Sequence, residues 1–199
     1  KIKEKFPDSF ITLVLSSSFT ERGEFSFLTK WEKTKIALKH KVDLVIELPF
    51  VYSSQSADIF AKGALKLLNE LKIEKIVFGS ESNDVNKLTE LAKKGLDNEY
   101  NDSVKEYLSI GINYPTALNK ALDIGINSPN DLLGLSYIKT ILMNNYDIEP
   151  ITIKRTNDYH DKECNEKIIS ASNIREKIKN NETINKYLPN KEYINEIDY

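Results

Sequence analysis

"DLVIELPFVYSSQSADIFAKGALKLLNELKIEKIVFGSE", residues 43–81, decides the fold. "DLVIEL" (43–48) is a short β-branched run stopped by Pro49, which reads as a buried strand. Over 55–71, Ala57, Phe60, Ala64, Leu67, Leu68 and Leu71 recur at three-four spacing, so this stretch is a helix that buries one face. "KIVFG" (75–79) follows at once as a second strand. A strand, a long amphipathic helix and another strand form the unit by which parallel neighbours are joined.

The same alternation continues outward. Upstream, "ITLVL" (11–15) is a strand that leaves through the polar loop "SSSFTERGEFSF", and a helix spans about 29–41. Downstream, 84–94, 98–109, 115–124 and 130–144 read as helices, the last with Ser128 as N-cap and Pro129 at its first position. "IEPITIKR" (148–155) restores a strand, and 171–180 is a helix. The expected fold is therefore α/β, a Rossmann-like parallel sheet with a helical insertion at about 84–144. The expected organisation is one domain over 1–180, with 181–199 as the start of a C-terminal helical element.

With 199 residues, 40% hydrophobic and 29% charged, the chain is long enough for a real core. It has no run near the roughly 18 apolar residues of a membrane span, so a cytoplasmic protein is expected. A net charge of −2 gives no global footprint for nucleic acid. One local patch stands out in "TKWEKTKIALKHK" (29–41), where Lys30, Lys33, Lys35, Lys39 and Lys41 crowd one helix. This is either a solvated face or a basic contact surface, with Trp31 and Leu38 expected on the apolar side and Trp31 in the core.

Ligands of open α/β sheets bind beyond the carboxyl ends of the strands. The loops there carry Ser16–Ser18, Glu47, Gly79–Ser82 and Arg155–Asn157. Gly79, lacking Cβ, either makes a tight turn or lets backbone approach a flat ligand. In "ISASNIREKI" (169–178) a serine is either a plain N-cap or part of an anion site. Arg175, read in the first helical turn where the macrodipole does not favour a cation, argues for the anion site. With Ser170, Ser172 and free helix amides it would clamp a phosphate.

Other chemistry is weakly supported. Cys164 in "DKECNEK" has no partner thiol or neighbouring base. His40 reads as a surface residue, and "NDYHD" (157–161) offers one imidazole beside two carboxylates, a poor metal signal. No metal site is expected, and neither a Walker A loop nor a G-x-S-x-G elbow occurs.

Taken together, "VDLVIELP", "QSADIFAKG", "FGSE", "YPTALNKAL", "SPNDLLGLSYIKTIL", "IKRTNDYHD" and "ISASNIREKI" resemble, in order and spacing, the tRNA(Met) cytidine acetate ligase family. That family falls within the nucleotidyltransferase superfamily marked by an HxGH loop. The resemblance spans about Leu15 to Ile178. It implies that ATP, with Mg2+ accompanying its phosphates, and acetate give acetyl-adenylate. The wobble cytidine of elongator tRNA(Met) would then take the acetyl group.

Motif by motif, the resemblance makes Gly79, Asn130 and Arg155 nucleotide contacts, and Ser170, Ser172 and Arg175 catalytic holders of the phosphates. Ser17 and Ser18 depart from the family's usual "GN". The family's first strand and HxGH loop lie ahead of Lys1, so the resemblance leads one to expect a sheet with a gap and a chain with little activity of its own. Two alternatives stay open: a nucleotidyltransferase acting on a small molecule, and a non-catalytic RNA- or nucleotide-binding protein.

Overall fold

A computed structural model describes residues 2–19, 23, 25–122, 128–155, 171–184 and 187. In chain order the elements are α1 (Ile2–Lys5), β1 (Thr12–Ser16), α2 (Lys30–Lys39), β2 (Leu44–Leu48), α3 (Phe50–Ser53), α4 (Ala57–Glu70) and β3 (Lys75–Ser80). They continue with α5 (Val85–Lys94), α6 (Asn98–Ser109), α7 (Tyr114–Leu122), α8 (Pro129–Asn144), β4 (Glu149–Lys154) and α9 (Ala171–Lys179). The chain divides into two compact units, Lys1–Lys154 and Arg155–Tyr199.

The expected parallel α/β architecture is present. β1 pairs with β2 in parallel from Thr12 opposite Leu44 to Ser16 opposite Leu48. β3 pairs with β4 in parallel from Lys75 opposite Glu149 to Ser80 opposite Lys154. The pairs form two separate sheets. Between them lies a cavity of about 640 Å³ lined by Thr12, Leu13 and Val14 of β1, Ile76, Val77 and Phe78 of β3, and Phe60, Ala64 and Leu68 of α4. Among the described residues the buried Thr12 Oγ1 finds no hydrogen-bond partner.

Local chemistry sets the helix ends. Thr29 and Glu32 form a capping box on α2: the Glu32 amide donates to Thr29 Oγ1 at 3.3 Å and the Thr29 amide donates to Glu32 Oε2 at 2.7 Å. Asp84 caps α5 by accepting from the Lys87 amide at 3.0 Å. Pro129 opens α8, and Asn145 closes it in the left-handed conformation at φ 51°.

The amphipathic α4 supplies the deepest packing. Ala64, Leu65 and Leu68 join Leu48, Ile76, Ile141 and Ile148 in the main core. A second cluster, Leu88, Leu91, Ala92 and Ile138, seats α5 on α8, and a third holds α6 to α7 through Tyr100, Val104 and Ala117. Gly134 lets α8 lie flat on β3, since a Cβ there would meet Phe78 Cε2 at 2.4 Å. Asp58 of α4 joins two other helices, accepting from Ser136 Oγ at 2.7 Å and from the Tyr114 hydroxyl at 2.6 Å.

The structure corrects one part of the packing expected from sequence. Trp31 is 68% exposed and Leu38 47% exposed, and α2 buries no residue. The half-buried inward residues of α2 include Lys33, Ile36 and Ala37. Lys33 is half-buried with its ammonium on the Ser16 and Ser17 carbonyls, while Trp31 stays in water.

Candidate nucleotide site

The residues that follow β3 and those that open α8 are held as one polar unit. Ser80 and Asp131 are 0% and 3% exposed, so their polar atoms need partners. Ser80 Oγ donates to Asp131 Oδ1. Asp131 Oδ2 accepts from the Ser82 amide and from Ser128 Oγ, each at 2.9 Å. The Asn83 amide in turn donates to Ser80 Oγ at 2.8 Å.

Burial alone pushes the Asp131 carboxyl up, yet hydrogen bonds from Ser80, Ser128 and Ser82 outweigh it. The group is held below the ordinary aspartate value.

Glu81 makes the second tie. Its carboxylate accepts from Asn130 Nδ2 at 2.5 Å and from the Asp131 amide at 3.1 Å, so an in-chain anion occupies the start of α8. The Glu81 carbonyl accepts from Lys154 Nζ at 2.5 Å. The loop leaving β3, the first turn of α8 and the end of β4 are thereby fixed to one another.

This arrangement places two of the expected nucleotide contacts. Gly79 lies inside β3, opposite Ile153, rather than in the loop, because the strand runs one residue further than its apolar run suggests. Asn130 stands in the first turn of α8 with its amide oriented by Glu81. A side-chain amide has two N–H donors and an acceptor oxygen, so it retains capacity for the polar edge of a base.

The remaining expected residues belong to the second unit. Arg155 is exposed and directly follows β4. Ser170 lies outside the described residues, as do Asp158, His160, Asp161 and Cys164. α9 begins at Ala171, so Ser172 is already helical, which excludes it as the N-cap. Arg175 is the fifth residue of α9, a turn past its start, where the macrodipole has largely faded. The dipole argument for an anion at Arg175 therefore falls away. Its assignment rests on the motif.

The exit of β1 is tied down by lysines. Lys33 Nζ donates to the carbonyls of Ser16 and Ser17 at 2.7 and 2.6 Å, and Lys30 Nζ bridges to Glu47 Oε2 at 2.7 Å. The hydrogen bond from Lys30, then one from Ser17, holds the Glu47 carboxyl below its ordinary value. Desolvation lowers the Lys33 ammonium despite the Glu47 charge. The sequence places Glu47 at this rim and Lys33 in the lysine patch of α2, but singles out neither the Lys33 tie to the β1 exit nor Asp131. The Asp131 signal was the spacing Ser128-x-x-Asp131 ahead of Leu132–Leu133, an acid set against an apolar run.

A family model described as HIGH Nucleotidyl Transferase matches residues 1–197. The chain belongs to this family. As a HIGH nucleotidyl transferase it is 44% identical over 195 residues to a protein of Mesomycoplasma hyopneumoniae (strain J) named tRNA(Met) cytidine acetate ligase. That match takes in 95% of this chain and 62% of the relative. A protein of the same name from Fusobacterium nucleatum is 46% identical over 88% of this chain and 44% of its own length. The chain thus spans between about two fifths and three fifths of these curated relatives.

The crystal structure of apo Thermotoga maritima TmcAL aligns with a TM-score of 0.85 at 30% identity, over 96% of this chain and 50% of that one. A second TmcAL structure, bound with alpha-thio ATP, aligns at 0.79 and 31% identity, over 89% and 45%. The α/β nucleotidyltransferase fold expected from sequence is borne out.

Proposed function

We propose that this chain is part of an ATP-dependent tRNA(Met) cytidine acetate ligase and carries its nucleotide-binding core. The observation that carries the reading is the 44% identity over nearly the whole chain to relatives bearing that name. The neighbour that binds an ATP analogue supports the nucleotide.

In this reading an acetate oxygen attacks the α-phosphorus of ATP, the α–β bridging P–O bond breaks, and pyrophosphate leaves. The exocyclic amine of the wobble cytidine in elongator tRNA(Met) then attacks the acetyl carbonyl. AMP departs with the C–O electron pair, and the amine proton passes to solvent.

Gly79 gives the nucleotide close access to backbone, and Asn130, oriented by Glu81, faces the base. Arg155 contacts the nucleotide, while Arg175 with Ser170 and Ser172 stabilises charge on the α-phosphate and the leaving group. Mg2+ enters with the ATP phosphates: among the described residues no group of three or more His, Cys, Asp or Glu could hold a metal ion. The tRNA substrate of this reading makes it a cytoplasmic enzyme; no described helix is long and apolar enough to cross a membrane.

The direct test is genetic. Disrupting the gene and digesting purified elongator tRNA(Met) for mass spectrometry should reveal loss of N4-acetylcytidine at the wobble position. Unchanged acetylation would contradict the reading.

A further inference from the structure

We propose that the edge of the first unit around the start of α2 is a docking surface for the unpaired bases of an RNA loop, with Trp31 as a stacking platform. The proposal rests on the ligase reading for its partner and adds where the RNA is held.

Three observations converge there. The first is placement. Lys33 is anchored on the carbonyls of Ser16 and Ser17, and Lys30 on Glu47, so the first turn of α2 stands at the carboxyl ends of β1 and β2. This is the rim where open α/β sheets receive ligands.

The second is exposed aromatic surface. Trp31 is 68% exposed, Phe25 77% and Phe50 56%. Phe19 holds the last two in place, its ring centroid 4.8 Å from that of Phe25 and 5.3 Å from that of Phe50. Large apolar rings left in water mark an interaction surface.

The third is charge. Lys30 Nζ lies 5.3 Å from the centre of the Trp31 ring. One turn and two turns further along the same face come Lys35 and Lys39, both exposed. Of the acids near this face among the described residues, Glu47 is bridged to Lys30 and Glu32 is engaged by the Thr29 cap. A chain of net charge −2 thus concentrates cations on one aromatic helix.

Lysine is depleted at protein–protein interfaces, whereas an aromatic plane flanked by lysines suits a base face beside its phosphates. Unpaired bases in loops are the ones free to splay out and stack.

Trp31 is the sole tryptophan, so its emission reports the contact directly. The chain is titrated at fixed ionic strength with a stem-loop RNA and with a blunt duplex of the same stem. The expected result is saturable quenching by the stem-loop and little by the duplex. With labelled stem-loop read by anisotropy, Trp31→Ala should weaken binding about tenfold. Lys35→Glu should weaken it and flatten its salt dependence. ATP binding by calorimetry should be unchanged in both variants.

Emission untouched by RNA, or equal affinity in Trp31→Ala, overturns the proposal. So does quenching that follows protein concentration without RNA, which would assign the face to a second copy of the chain. ATP binding without RNA quenching removes this surface alone, whereas loss of both in the unmodified chain removes the ligase reading as well.

Discussion

The β3–β4 side of the first unit and the β1–β2 side are built from the same parallel pairing, yet they are finished differently. Around β3 and β4, α4, α5 and α8 bury Leu65, Leu88 and Ile138 to 1% exposure or less, and the buried Ser80–Asp131 pair locks the loop. On the β1–β2 side Leu48 of β2 reaches the main core, but α2 buries no residue and β1 is half-buried throughout. Stability is thus concentrated on one side, while the other presents aromatic rings and lysines to solvent. Regions that bind large partners come from the less packed part of a fold.

Substitutions can break or sharpen that contrast. The largest effect is expected from Leu65→Ala, at 0% exposure in the main core, with a loss of about 2–5 kcal/mol in urea unfolding. Asp131→Ala should cost about 1–3 kcal/mol, because it leaves the buried Ser80 hydroxyl without its acceptor.

Asp131 also makes a pH prediction. Its folded value lies below the ordinary one, so its contribution is complete above the unfolded aspartate value and is lost as pH falls through the folded value. Asp131→Asn should flatten the acid limb of the stability curve, and an unchanged limb would show that the network does not depend on the charge.

Gly134→Ala drives a methyl into Phe78 and should cost roughly 1–3 kcal/mol. Trp31→Ala should change stability by no more than about 0.5 kcal/mol, because the ring is mostly in water. A Trp31 effect as large as that of Leu65 would erase the contrast.

Much of the fold was legible because its signals are local. Each strand is a short apolar run ended by polar residues, and the long helices carry three-four spacing or clear caps, so boundaries agree within one or two residues. α1 and α3, four residues each, are too short for periodicity to register.

The candidate site was read from strand exits, a helix start and motifs, with different outcomes. Asn130 came from motif matching alone and the structure adds its tie to Glu81, whereas Gly79 came first from the strand exit and lies within β3. Asp131 looked like one more charge in a helix start until its burial was seen. Trp31 differs from its reading because an aromatic among lysines suggests an apolar face, whereas here the ring is exposed and the half-buried residues of α2 include Lys33, Ile36 and Ala37. The reading of Arg175 as a first-turn cation failed on a register of one helical turn, to which the macrodipole argument is sensitive.

The most direct test of the central claim is a calorimetric titration of this chain with ATP and Mg2+, repeated with Arg175→Ala. The account predicts saturable binding that the variant weakens more than tenfold while circular dichroism stays unchanged. Binding of equal strength in the folded variant would contradict the role given to Arg175, and no binding by the folded unmodified chain would contradict the nucleotide core itself.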